Sequence, residues 1–193
     1  MSEIIPRWEW RSFGQHFGDA ETRLMAQGPD KLQQSDEIYL LSLVSDANVK
    51  IRDGLMDIKQ LEQTDTHGFE LWRPVLKEAF PLPAAASQAL FAALGVTAKQ
   101  EHTPIMLDKL LAEVASTSGL HILEVHKNRT RYHLEDCIAE LTEVVMDGKT
   151  IRTMAVESED PAHIAAALRA LNLEGIENVS YPRGLKRFVE MTL

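Results

Sequence analysis

Along much of the chain, apolar and polar residues change places at every step, the period of a half-buried strand. Elsewhere apolar residues recur every three or four, the period of a helix face. The first strand pattern is Trp8 to Phe13, where Trp8 and Trp10 alternate with Glu9 and Arg11. Phe17 to Ser35 is polar and Gly-containing, with helix formers from Ala20 to Gln27 ahead of Gly28 and Pro29. From Glu37 to Gln63 come EIYLLSLV, NVKIRDG and LMDIKQLEQ, parted by Asp46-Ala47-Asn48 and Asp53-Gly54. That predicts a three-stranded meander, with Asp53-Gly54 its strongest hairpin signal.

A further strand is predicted near Phe69 to Pro74. Helical stretches follow over roughly Ala84 to Leu94 and Leu107 to Ser116, with Gly95 and Gly119 at their ends. LHILEVHKNRTRYHLE, CIAELTEVVMDG and KTIRTMAVESED form a second meander. Pro161 then opens a helix with Asp160 as N-cap, and the tail from Asn178 to Leu193 fits strand or helix. Meanders with few intervening helices predict an α+β fold: an antiparallel eight-stranded β-barrel, closed or nearly closed, with flanking helices. One domain is expected over residues 1–193, with a helical insertion at about 84–118.

Composition adds limits. The chain has 193 residues, 45% of them hydrophobic and 25% charged, ordinary values for a globular protein. A formal net charge of −9 argues against general nucleic-acid binding, which needs a surplus of Lys and Arg. The sequence holds no run of eighteen apolar residues and MSEIIPRWEW lacks a basic, apolar leader, so a cytoplasmic protein without membrane association is expected. Cys137 has no second cysteine to pair with and reads as a small buried hydrophobe. The histidines match no metal spacing, and Trp8, Trp10 and Trp72 read as packing residues.

The chemistry lies in the strand phases. In NVKIRDG, Lys50 and Arg52 share one face and Val49 and Ile51 the other. Across the turn, Lys59 joins the cationic face if the register permits, leaving Met56 and Ile58 opposite. Lys127, Arg129 and Arg131 repeat the arrangement at spacing two, making six cations on three strands. Alternating Lys and Arg also suits a solvated outer face. The inward reading gains weight because both meanders carry the pattern and the opposite phases look fit to pack beneath helices. Cations gathered in one interior need carboxylates or a bound anion, and a triphosphate offers several negative charges in a row.

In this order the residues resemble the CYTH, or triphosphate tunnel, superfamily, which includes class IV adenylate cyclases, thiamine triphosphatases and inorganic triphosphatases. Its members open with a Glu-x-Glu-x-Lys strand, continue with an Arg-x-Arg strand, a strand ending in Lys and a Lys-x-Arg strand after a helical insertion, and close with a strand of alternating glutamates. Arg7-Trp8-Glu9-Trp10-Arg11 lies where the opening motif falls, with Glu9 its retained acid. Lys50 and Arg52, then Lys59, Glu70, and Lys127 with Arg129 follow in the family's order. The late acidic strand departs from the pattern, presenting Thr153, Ala155 and Glu157. Glu140 lies in phase with Thr142 and ranks above Glu143, and Ser180-Tyr181 resembles a Ser-Tyr segment that closes the cavity in this family.

The resemblance implies metal-dependent hydrolysis of a triphosphate compound, inorganic triphosphate preferred, with adenylate cyclase activity ranked below it. Lys50, Arg52, Lys59, Lys127, Arg129 and Arg131 would cradle phosphates, and Glu9, Glu70, Glu140 and Glu157 would hold Mg²⁺ or Mn²⁺. The alternative is a catalytically silent module that binds a polyphosphate or nucleotide. The basic patch of Arg183, Lys186 and Arg187 suits either phosphate contact or solvent, and oligomeric state is not specified.

Overall fold

Asp53 and Gly54 both take left-handed backbone, with φ of 51° and 71°. Two such residues make the turn whose twist matches its flanking strands, so the predicted hairpin forms there. The computed structural model describes residues 6–97 and 104–190. Before the hairpin come β1 (Arg7–Gly14), α1 (Asp19–Met25) and β2 (Lys31–Ser42); β3 (Asn48–Arg52) and β4 (Leu55–Thr64) form it. After it come β5 (Glu70–Ala79), α2 (Ala84–Ala93), α3 (Leu107–Ser116), β6 (Leu120–Leu134), β7 (Cys137–Met146), β8 (Lys149–Ser158), α4 (Pro161–Leu171) and α5 (Tyr181–Phe188). Residues 98–103 of the expected insertion lie outside the described residues, as do the ends of the expected 1–193 domain.

The strands close into one antiparallel barrel in the order β1-β5-β4-β3-β2-β6-β7-β8, so no edge is left unpaired. The expected α+β barrel is the fold found. Two strands run longer than their patterns suggested. β2 begins at Lys31 rather than Glu37 because its polar first half pairs residue for residue with β6, Lys31 opposite Arg131 and Glu37 opposite Val125. β5 continues past Pro74 to Ala79, and the β4–β5 ladder absorbs the irregularity as a register shift between Ile58 and Lys59.

Packing on the barrel's outside fixes which phase points in. Val49, Ile51, Met56 and Ile58 are buried beneath Leu90, Phe91, Leu110 and Val114 of α2 and α3. On the other side Trp10, Tyr132, Ala139, Met154 and Val156 are buried beneath Ile164, Leu168 and Leu171 of α4 and Leu24 of α1. Asp160 caps α4 as predicted, its side chain accepting from the Ala162 amide at 2.8 Å. Cys137 is buried in this layer. Among the described residues no helix is long and apolar enough to cross a membrane.

The ambiguous tail becomes α5, which enters one end of the barrel. Its Tyr181 and Leu185 pack among the inward residues Tyr39, Leu41, Leu123, Val125, Val144 and Met146, with Phe13 against them. A Cβ at Gly184 would lie 2.2–2.5 Å from the Phe13 ring. Gly184→Ala is therefore expected to cost roughly 1–3 kcal/mol by overpacking. An unchanged melting temperature would show that α5 does not seat against Phe13.

Candidate functional site

Directly paired residues on neighbouring strands point to the same face, so register carries the inward phase around the barrel. Lys59 pairs with Asn48 and Lys50 with Tyr39. Tyr39 pairs with Leu123, which shares its phase with Lys127, Arg129 and Arg131. Arg131 pairs with Glu140, Glu140 with Ala155, and Glu9 with both Glu157 and Glu70. All ten candidate residues thus stand on the inner wall, opposite the phase buried beneath the helices.

Glu37, on β2, organises the cations. The residue is 2% exposed, and Lys127, itself 1% exposed, donates to it from Nζ at 2.7 Å. Tyr39 Oη donates to Glu37 at 2.9 Å and Ser35 Oγ at 3.2 Å. Arg52 reaches the carboxylate at 3.4 Å, Lys50 at 3.9 Å and Arg129 at 3.9 Å. Burial opposes the Glu37 charge, but Lys127 and Lys50 outweigh it and hold the carboxyl well below the usual range. For Lys127 burial leads and Lys50 and Arg129 add repulsion, so its pKa falls well below that of a free lysine despite Glu37. Burial lowers Lys50 in the same way. The cluster carries more positive charge than its one central acid balances.

The candidate acids are held differently. Glu9 accepts from Arg11 Nε at 2.9 Å. Burial works against its charge, and Arg11 with Lys59 holds it below the usual carboxylate range. Glu157 is paired directly with Glu9 across β1 and β8. Burial, followed by the charges of Glu9 and Glu140, pushes Glu157 up to about 7. Glu140 pairs with Arg131 at 3.1 Å and Arg129 at 3.4 Å. Glu70 accepts from Arg183 and, at 3.2 Å, from Trp72 Nε1; burial is the larger influence on it and raises its pKa. Among the described residues no group of three His, Cys, Asp or Glu is placed to hold a metal ion. Three of the four acids are engaged by arginines, so the wall as it stands does not fit Mg²⁺ or Mn²⁺, which need several free oxygen donors.

The hydrogen-bond account of the interior is also incomplete. Among the described residues the buried side-chain atoms without a hydrogen-bond partner are Asn48 Oδ1, Arg129 Nε, Arg131 Nε and Tyr181 Oη, although Arg129 Nε is the atom that lies 3.4 Å from Glu140. Three carry an N–H or O–H, and all four belong to residues on the inner wall or to the helix that enters it. Tyr181 stacks on Tyr39 with centroids 5.3 Å apart, and Lys127 Nζ lies 3.8 Å from its ring centre. Glu70 and Arg183 also line a cavity of about 700 Å³, with Phe69, Leu168, Ile176 and Asn178. Glu157 lines a second, of about 390 Å³, with Arg7, Asp136 and His163.

Arg11, Glu37 and Tyr39 belong to this interior and are absent from the candidate set read from sequence. The signal was present in phase: Arg11 is two residues from Glu9, and Glu37 and Tyr39 alternate within EIYLL. The tail's basic residues divide, Arg183 reaching Glu70, Lys186 binding Asp46 and Arg187 pairing with Glu177 at the surface.

No family model and no curated protein matches the sequence. Solved structures match its fold. HpAC1 from Hippeastrum, described as a candidate adenylyl cyclase with a dominant triphosphatase activity, superposes with a TM-score of 0.53 at 15% identity over 97% of each chain. The PH1012 protein of Pyrococcus horikoshii gives 0.52 at 18% identity, over 91% of this chain and 97% of its own. A conserved hypothetical protein of Pyrococcus furiosus gives 0.51 at 16%, over 91% and 98%. These are likenesses of fold, and they agree with the architecture that the sequence resemblance implies.

Proposed function

We propose that this chain, whose fold is that of the triphosphate tunnel proteins of the CYTH superfamily, binds a triphosphate-bearing compound inside its barrel. Inorganic triphosphate is the preferred ligand, with a longer polyphosphate or a nucleotide sharing its chemistry. The observation that carries the reading is the set of buried donors that make no hydrogen bond, Arg131 Nε, Tyr181 Oη and Arg129 Nε, the last with only a 3.4 Å ion-pair contact to Glu140, beside a cluster with more cations than its acid offsets. A buried donor without an acceptor costs about 1–3 kcal/mol, and phosphate oxygens would supply acceptors and negative charge together. In this reading Lys50, Arg52 and Lys127 around Glu37 hold one part of the chain of phosphates, and Arg129, Arg131 and Lys59 the rest.

Metal-dependent hydrolysis with Mg²⁺ or Mn²⁺ is the second reading. The direct pairing of Glu9 with Glu157 across β1 and β8, which sets two inward acids side by side, favours it. Against it stands the engagement of Glu9 by Arg11, of Glu70 by Arg183 and of Glu140 by Arg129 and Arg131.

Two measurements test these readings. A ligand at one hundred times its dissociation constant stabilises the folded state by roughly 2.7 kcal/mol, about 5–10 °C for a chain of this size. Inorganic triphosphate is expected to raise the melting temperature by that amount, and no shift at millimolar triphosphate or pyrophosphate would defeat the binding reading. Phosphate release from triphosphate, measured with and without Mg²⁺ or Mn²⁺, separates hydrolysis from binding alone.

A further inference from the structure

We infer that Arg11 is a built-in cation that occupies the carboxylate corner of the barrel, so that the free protein holds no divalent metal there. The inference rests on the barrel interior being the anion site proposed above, and it concerns the acids rather than the phosphate-facing cations.

The corner is defined by register. One row across the wall is Glu9, Glu157 and Ile138; the next, on the same face, is Arg11, Ala155 and Glu140. Arg11 therefore begins beside Glu9 on its own strand and lies two strands from Glu140, with the methyl of Ala155 on β8 between. Its Nε donates to Glu9 at 2.9 Å and its Nη1 to Thr153 Oγ1 at 3.2 Å. The guanidinium carbon lies 4.8 Å from the Tyr181 ring centre, so the same group is also covered by α5. Arg11 is 5% exposed, Ala155 and Thr153 are fully buried, and the Glu9 side chain is 18% exposed.

Those contacts fix the position of a full positive charge. A guanidinium keeps its proton under any condition in which the protein is folded, and its planar donors are held here by a carboxylate, a hydroxyl and an aromatic face. A doubly charged ion entering between Glu9 and Glu140 would meet this charge at close range in a buried setting, where repulsion is weakly screened. Displacing Arg11 would require its guanidinium to leave a buried site and give up these contacts, leaving the Thr153 hydroxyl without its partner. Arg129 and Arg131 hold Glu140 from its other side. Glu9 and Glu140 are thus offset by three arginines belonging to the chain.

The test is Mn²⁺ titration of the full chain without triphosphate, followed by calorimetry and by the Mn²⁺ paramagnetic resonance signal. Wild type is expected to show no saturable binding up to about millimolar Mn²⁺. Arg11→Met, which removes the charge but fills space, is expected to gain one Mn²⁺ at least tenfold tighter than any wild-type binding, and Arg11→Met/Glu9→Gln to lose it again. Stoichiometric micromolar Mn²⁺ binding to wild type, weakened by Glu9→Gln, would overturn the inference whatever the variants do. So would an Arg11→Met protein with native near-ultraviolet dichroism that still takes up no Mn²⁺. Triphosphate binding to wild type is measured separately in EDTA: its absence in every condition counts against the anion site, while binding that appears only with Mg²⁺ counts against Arg11.

Discussion

Glu37→Gln is expected to destabilise the protein by about 3–5 kcal/mol, because it strips the central acid from a buried ion pair and leaves Lys127 facing Lys50 and Arg129. For a chain of this length that corresponds to a fall in melting temperature of roughly 6–20 °C. The pH dependence carries its own sign. Glu37 has a depressed pKa in the folded state, so its stabilising contribution is fully present above the unfolded value of about 4.3 and is lost as pH falls through the folded value. Lys127 is also depressed, which has the opposite effect for a base: its charged form is penalised at neutral pH, and that penalty is relieved as pH rises toward the unfolded value of about 10.4. The variant is thus expected to lose part of the wild type's acid sensitivity below pH 4 and to begin its alkaline gain earlier. Denaturant titrations at pH 7 and melting curves across pH decide this, and a stability within about 0.5 kcal/mol of wild type would remove Glu37 from the centre of the cluster.

The second large effect is on binding. Arg129→Met/Arg131→Met removes two buried Nε donors that make no hydrogen bond within the protein, Arg129 Nε having only the 3.4 Å ion-pair contact with Glu140. A hydrogen bond to a charged group contributes about 1.5–3 kcal/mol, so losing two should weaken triphosphate binding roughly a hundredfold or more. Arg187→Met is the matched control, since its guanidinium pairs with Glu177 at the exposed surface and lies outside the barrel interior. Calorimetry with inorganic triphosphate reads both variants. A loss under threefold in the double variant would place the phosphates elsewhere. The double variant also frees Glu140, so its folding is checked first by near-ultraviolet dichroism.

Much of the barrel was legible because antiparallel strands with one face under helices must alternate. Val49 and Ile51 against Lys50 and Arg52 is such a pattern, and both sides of it are used, one beneath α2 and α3, the other around Glu37. The first half of β2 escaped notice for the same reason. Gln33, Ser35 and Glu37 face the polar interior while Gln34 and Asp36 face outward to Asn128 and His126, so no apolar alternation exists to be read. The tail was ambiguous because the burial of α5 depends on partners throughout the chain, such as Tyr39 and Phe13.

The sequence alone determined the strand order of the two meanders, the helix at Pro161 and the phase shared by each group of cations, since these follow from periodicity and turn chemistry within a few residues. Only the tertiary structure decided that the cations converge on Glu37, that Arg11 lies among the acids, and that Arg183 reaches Glu70 while Arg187 stays at the surface. Charge pairing of this kind joins residues distant in sequence, as with Lys127 and Glu37. It is set by barrel closure and register, which no local pattern records.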